Sequence, residues 1–468
     1  MSLKLLVGLA VLAIGLTSAQ PSSAESSTQT FTGTLSGGAK VHHSVSSDSG
    51  PLKATVACQR STRVTLKITD PSNAVLNTST KKCTSTGFTV SATAYTAGTY
   101  GVQVSEKQGN TTTYSLKVMY STYPPSNTTT TTTSTTMPTT APESMSVMVS
   151  GNRLVNEAGA TVHLRGVNYS GAEYACVGTN GTNGYDVWDG PADQSLVNAF
   201  KAWKINAVRL PLNETCWLGI NSVNPAYSGE NYRAEVARFV QLLTDNRIYP
   251  ILDLHWSAPG TLIATKNRYM PNRDHSPEFW RSVAARFKGN PAVVFDVFNE
   301  PRAVTWSCWR DGCPDVYGNG WMVAGMQELV DAVRSAGATN VVTVPGLGYA
   351  NDLSQWASYK PLDRQSQLAA SFHVYDFTSC STISCWDARV APVARSVPVV
   401  STELGQGGCA HDFIDEFTSW ADANNIAYLG WAWNPWDCGA GPALVTSFDG
   451  TPTSFGVGLR DHLIRVTS

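Results

Sequence analysis

The chain has 468 residues, with 33 Lys and Arg against 35 Asp and Glu, for a formal net charge of −2. That balance offers no electrostatic footprint for nucleic acid or anionic lipid. Beyond the first twenty residues no stretch reaches the length of a membrane-spanning helix, so no membrane partner is expected.

The N-terminus carries one lysine, an apolar run from Leu5 to Leu16 and the small residues Thr17-Ser18-Ala19. This is the pattern of a secretory leader over residues 1–19, with cleavage after Ala19, or after Ala24, and export of the mature chain. Ten cysteines in an exported chain, none in Cys-x-x-Cys spacing, favour disulfides over metal sites, and neither metal nor cofactor is expected. Cys308/Cys313 and Cys380/Cys385 are local pairs that can each staple one loop. Cys58 and Cys83 are the only two in the N-terminal region and are expected to pair with each other, which leaves Cys176, Cys216, Cys409 and Cys438. Spacing does not fix connectivity, but 176–216 and 409–438 are the expected pairs if these residues sit on neighbouring loops of a barrel.

Residues 27–122 read as a small all-β sandwich module. Ala54–Ala57, Arg63–Ile68, Gly87–Val90, Gly98–Ser105 and Thr113–Val118 alternate apolar and polar residues, with turn-formers such as Asp70-Pro71-Ser72-Asn73 between them. Ala97-Gly-Thr-Tyr-Gly-Val-Gln-Val104 and Thr113-Tyr-Ser-Leu-Lys-Val118 resemble the bacterial pre-peptidase C-terminal type of accessory domain. No tryptophan lies in this module, which favours a spacer over a surface on which sugars stack. Residues 123–146, with Pro124-Pro125, a threonine run and Pro138, have no apolar periodicity and read as an extended linker.

Residues 147–468 suit one α/β domain. Strands are expected at His163–Asn168, Ala207–Leu212, Tyr249–Trp256, Val293–Glu300, Val341–Val344, Leu368–Tyr375, Pro398–Glu403 and Tyr428–Trp433. Helices are expected at Tyr232–Asn246, Ser276–Lys288, Trp321–Ala336 and Asp412–Asn424. Strands alternating with helices predict a (β/α)8 TIM barrel. No phosphate-binding glycine loop follows a strand, and Gly-x-Ser-x-Gly and His-Glu-x-x-His are absent.

Polar residues then fall where apolar strands end. Arg209, Asp253, His255, Asn299, Glu300, His373, Tyr375, Glu403 and Trp433 all lie in or at the tips of these strands. Buried charges must meet each other or a ligand, so a ring of them at one end of a barrel describes a polar mouth. Two carboxylates there suit glycoside hydrolysis, one giving a proton and the other attacking the anomeric carbon. Arg209 and Tyr375 are placed to keep Glu403 charged. Trp188, Trp217, Trp256, Trp306, Trp309, Trp386 and Trp436 follow the strands and are candidates for stacking on sugar, about half of them being expected to do so.

The motifs Val208-Arg-Leu-Pro211, Leu252-Asp-Leu-His-Trp256, Phe295-Asp-Val-Phe-Asn-Glu-Pro301, His373-Val-Tyr375, Thr402-Glu-Leu-Gly405 and Trp431-Ala-Trp-Asn434 resemble glycoside hydrolase family 5, the old cellulase family A. The resemblance implies Glu300 as acid/base and Glu403 as nucleophile of a retaining double displacement. It implies Asn299 on the sugar 2-hydroxyl, and Arg209, His255, His373 and Tyr375 around the reacting sugar. It implies Trp433 under that sugar, through a cis peptide to Asn434. The chain departs from the family at Leu404, where many members carry Phe, and in its cysteine loops 306–313 and 379–385. The expected activity is a monomeric, secreted endo-β-1,4-glucanase acting on plant cell-wall polysaccharide. A β-mannanase, an exo-acting member on short glycosides and a silent carbohydrate-binding barrel are the alternatives.

Overall fold

Period-two alternation builds the first of two units. In the strand Thr62–Thr69 the residues Thr62, Val64, Leu66 and Ile68 are buried while Arg63, Thr65 and Lys67 between them are not, as a half-buried strand requires. The computed structural model describes residues 25–47, 50–70, 75–94, 98–122, 145–178, 187–439 and 441–467. The chain divides into Met1–Pro138 and Thr139–Ser468. The expected leader, and all of the expected linker except its last two residues, lie outside the described residues.

The first unit has eight described strands. They are β1 (Glu25–Leu35), β2 (Lys40–Ser47), β3 (Gly50–Cys58), β4 (Thr62–Thr69), β5 (Val75–Cys83), β6 (Phe88–Ala94), β7 (Gly98–Glu106) and β8 (Thr112–Thr122). They form two antiparallel sheets, ordered β1-β8-β3-β6 and β2-β7-β4-β5. Leu52, Val56, Leu66, Val104 and Leu116 fill the space between them. Cys58–Cys83 ties β3 of one sheet to β5 of the other. A bridge closing a loop of this length restrains the unfolded chain by roughly 3 kcal/mol.

The second unit is a closed parallel barrel of eight strands, β9 (Arg165–Asn168), β10 (Ala207–Asn213), β11 (Tyr249–Trp256), β12 (Val294–Asp296), β13 (Val342–Pro345), β14 (Leu368–Tyr375), β15 (Val399–Gly405) and β16 (Ala427–Gly430). The longer helices around it are α1 (Gln194–Ala202), α2 (Gly229–Asp245), α3 (Ser276–Phe287), α4 (Met326–Ser335), α5 (Asp412–Ala423) and α6 (Ser454–Thr467). Their apolar faces pack on the strands, as with Val236, Phe239, Val240 and Leu243 of α2. The fold class is therefore a TIM barrel joined to an all-β module.

The barrel interior is layered by chemistry. At its N-terminal end Ala207, Ile251, Val294, Ala369 and Val400 form an apolar layer, with Leu154 of a short hairpin packed in the same cluster. Further along the strands the interior turns polar, with Asn168, Arg209, Asp253, Asp296, Thr343 and Ser371 all fully buried. An apolar floor and a polar upper layer place the chemistry at the C-terminal ends of the strands.

Some element boundaries near the barrel mouth differ from expectation. The ladder of β12 stops at Asp296, although Val297 N–H still donates to Thr343 and Asn299 N–H to Leu254. The helix expected from Trp321 begins at Met326, because Met322 and Val323 pair with Cys313 and Pro314 and Gly325 caps the helix start. The last strand ends at Gly430 rather than Trp433. Among the described residues no helix is long and apolar enough to cross a membrane.

Candidate active site

One guanidinium gathers the polar layer. Arg209 of β10 is fully buried, so its five donors must find partners inside the barrel. Nε donates to Asp296 Oδ2 at 2.9 Å, and Nη1 donates to Asn168 Oδ1 at 3.0 Å and to Glu403 Oε1 at 2.9 Å. Nη2 donates to Asn299 Oδ1 at 2.8 Å and lies 3.0 Å from Asp253 Oδ2. Burial works against the charge, but the carboxylates of Asp253, Asp296 and Glu403 outweigh it and push the Arg209 pKa up. Asp296 is itself fixed by Thr343 Oγ1 at 2.8 Å and Ser371 Oγ at 3.1 Å. The arrangement holds Glu403 from below.

From above, Tyr375 donates its hydroxyl to Glu403 Oε2 at 2.7 Å. Gly405 makes this possible. A Cβ built there would stand 2.3 Å from Tyr375 Cε1, inside the ring's van der Waals surface. Gly405→Ala is therefore expected to push the ring off Glu403. Loss of one hydrogen bond to a charged group corresponds to a fall in turnover of roughly 10- to 100-fold. Tyr375→Phe should match it; a Gly405→Ala enzyme with full turnover and unchanged melting would refute this role.

Glu300 follows β12 and faces Glu403 across the mouth. Its side chain is 20% exposed against 5% for Glu403. Burial holds its pKa above the ordinary carboxyl value, against the pull of His255, Arg302, Arg209 and Asn267. His373 Nδ1 stands between the two carboxylates, 3.2 Å from Glu300 Oε1 and 3.3 Å from Glu403 Oε2. One oxygen of each carboxyl group and this nitrogen lie within 4.8 Å of one another. The trio has metal-ligand spacing, but the Arg209 cation 2.9 Å from Glu403 disfavours a divalent ion there.

Burial also pushes both histidines down, to about 4 for His255 and about 4 for His373, so they are neutral at ordinary pH. His255 Nδ1 lies 2.6 Å from Asp253 Oδ2, and burial raises Asp253 to about 7. A neutral His255 ring lies parallel to Trp431, with centroids 5.4 Å apart and an interplanar angle of 9°.

The tryptophans need correction. Trp433 has no exposed surface and packs against Phe200 and Trp203, so it offers no face to a sugar. Trp431 is the tryptophan that lines a cavity with Glu300 and Tyr375. The cis peptide is Trp431–Ala432, not a bond to Asn434. Residues 431 and 433 have the same parity, so strand alternation could not separate them. Trp188, Trp217, Trp309 and Trp386 are core residues; Trp217 donates to Ser282 and Trp309 to the Pro345 carbonyl. Trp306 is 8% exposed and stacks on Tyr359. Trp256, half-buried beside Tyr174, and Trp436, 41% exposed, keep accessible faces.

Glu300 opens onto a cavity of about 600 Å³ whose walls include Tyr349, Asn351, Tyr375, Phe377 and Trp431. Tyr349 and Phe377 are exposed rings, and Phe377 stacks on Tyr375 at 5.0 Å. Around the mouth the loops are pinned by Cys176–Cys216, Cys308–Cys313, Cys380–Cys385 and Cys409–Cys438. These, with Cys58–Cys83, are the five pairs expected from the sequence. Asn267 and Trp431 were missed as site residues, since one sits in a loop and the other shares its motif with a second tryptophan.

The cellulase family, glycosyl hydrolase family 5, matches residues 155–437. Endoglucanase CelA of Streptomyces lividans is 23% identical over 317 residues, covering 65% of this chain and 60% of that protein. Endoglucanase 1 of Saitozyma flava is 25% identical over 318 residues, covering 62% of this chain and 85% of that protein. The chain thus spans less than two thirds of the length of CelA. A beta-glucanase from Saccharophagus degradans, solved with cellotetraose, has 21% identity and a TM-score of 0.53 over 69% of this chain and 94% of its own. That likeness speaks for the barrel fold. With the family matched over residues 155–437, the chain belongs to the cellulases of glycosyl hydrolase family 5.

Proposed function

We propose that the protein is a secreted retaining glycoside hydrolase cutting internal β-1,4-glucosidic bonds of plant cell-wall polysaccharide. The observation that carries this reading is the pair Glu300 and Glu403, with one carboxyl oxygen of each within 4.8 Å of the other. Retaining enzymes keep their carboxyl groups about 5–5.5 Å apart, and inverting ones need about 6.5–9.5 Å for an intervening water. In the first step a Glu403 oxygen bonds to C1 as the bond from C1 to the leaving oxygen breaks. Glu300 gives that oxygen its proton. In the second, water bonds to C1 and releases a proton to Glu300 as the Glu403 ester breaks. Arg209 and Tyr375 meet both oxygens of Glu403, whereas Glu300 has the raised pKa an acid needs. Asn299, held by Arg209, is the proposed partner of the sugar 2-hydroxyl.

Endo action is supported by the cavity beside Glu300, which has room and exposed rings for sugar beyond the cleaved bond, and by the names of the curated relatives. Export is supported by the leader-like N-terminus and five disulfides. We assign residues 27–122 as an accessory module, 123–146 as a linker and 147–468 as the catalytic domain.

The test is product sizing after incubation with carboxymethylcellulose, glucomannan, mannan, xylan and cello-oligosaccharides. Carboxymethylcellulose is expected to yield mixed lengths. Release of only monosaccharide or disaccharide from short substrates would replace endo with exo action, and selective cleavage of mannan would replace glucan as substrate.

A further inference from the structure

The loop after β11 is laced to the chain around Glu300. Arg302 N–H donates to the Tyr269 carbonyl at 2.8 Å. Its guanidinium donates to the carbonyls of Arg268 at 2.9 Å, Glu300 at 3.0 Å and Asn267 at 3.0 Å. The same guanidinium stands 4.7 Å from the centroid of Tyr349. This lacing brings the Asn267 Nδ2 amide to 2.6 Å from Glu300 Oε2. Asn267 Oδ1 is buried and meets no partner among the described residues, so the side chain is not held there by other polar contacts of its own.

We propose that Asn267 is a positioning residue for Glu300, holding Oε2 by its amide so that Oε1 is the oxygen exchanging a proton with substrate and water. The inference rests on the acid/base reading of Glu300. A carboxyl group whose one oxygen accepts a short amide bond carries its acid hydrogen on the other, and the bond strengthens when the proton leaves. Asn267 therefore favours proton donation without adding a charge. Glu300 is also faced by His255, His373, Tyr375, Arg209, Arg302, Asp253 and Glu403, none of which the substitution of Asn267 replaces.

The experiment measures kcat/KM against pH for wild type, Asn267→Ala and the isosteric Asn267→Asp, on cello-oligosaccharides and on a dinitrophenyl β-cellobioside. Loss of a hydrogen bond to a charged group shifts a pKa by about one unit or more. The alkaline limb should rise by about that much in Asn267→Ala, and further in Asn267→Asp, where a like charge faces Glu300. Oligosaccharide cleavage should fall about tenfold at its optimum, while the activated glycoside, which needs no acid, changes less than about twofold. An unmoved limb in both variants, or equal losses on both substrates, overturns the inference. Glu300→Ala with added azide separates the two levels. If azide restores cleavage of the activated glycoside but the Asn267 limbs stay put, only the inference fails; if no anion rescues it, the reading of Glu300 fails first.

Discussion

Glu403→Gln is expected to lower turnover by at least about four orders of magnitude on every substrate, because an amide oxygen cannot form the glycosyl ester on which double displacement depends. Its fold should survive. Gln keeps the shape, its carbonyl oxygen can accept from Arg209 Nη1 and its amide can donate to the Tyr375 hydroxyl oxygen, and Arg209 retains Asp253 and Asp296 as counter-charges. Melting within a few degrees of wild type, measured beside turnover, would separate lost chemistry from lost structure. Turnover near wild type in this variant would remove Glu403 from the reaction.

Arg209→Met is expected to have the largest effect on stability. It leaves Asp253, Asp296 and Glu403 in one buried layer without their cation, and breaking such a buried set costs about 3–5 kcal/mol. Burial already raises Asp253 to about 7 and Asp296 above its ordinary value with Arg209 present, and removing the cation raises them further. A carboxyl whose folded pKa exceeds its unfolded one stabilises the fold fully below the unfolded value, and loses that contribution as pH rises through the folded value. The variant should therefore melt closest to wild type near pH 4 and diverge as pH passes about 7. Denaturation at pH 4.5 and pH 8 tests this. A gap that is constant, or wider in acid, would mean that Arg209 acts through packing rather than charge. Turnover should fall by at least about 100-fold, since Glu403 and Asn299 lose a shared anchor.

Much of the site was legible because the barrel imposes a strong pattern. A parallel strand buried on both faces reads as an apolar run, so Arg209, Asp253 and His373 stand out as charges or potential charges where none can sit unpaired. Glu300 was visible as a carboxylate where Pro301 ends a run of Val and Phe. The edge strands of the first unit were harder. β1, β2 and β5 lie at sheet edges with much of their surface in solvent, and Val75–Cys83 buries only Cys83. Little burial leaves little pattern.

Tryptophan shows the opposite problem. Chain order places Trp188, Trp217 and Trp309 after the ends of strands, and a large ring there fills core as readily as it meets substrate. Which it does depends on the neighbouring side chains, as with Trp217 among Tyr232, Phe279 and Phe287. Asn267 carried no local signal, because its place beside Glu300 comes from Arg302 binding three carbonyls across two loops.

Mass spectrometry of wild type and Glu403→Gln after reaction with a 2-deoxy-2-fluoro-β-cellobiosyl fluoride tests the double displacement most directly. The fluorine slows breakdown of the glycosyl ester, so wild type should gain one cellobiosyl mass, located on the peptide that contains Glu403, and the variant none. A label on any other carboxylate, or a wild-type enzyme that cleaves cello-oligosaccharides and stays unlabelled, would contradict Glu403 as the nucleophile.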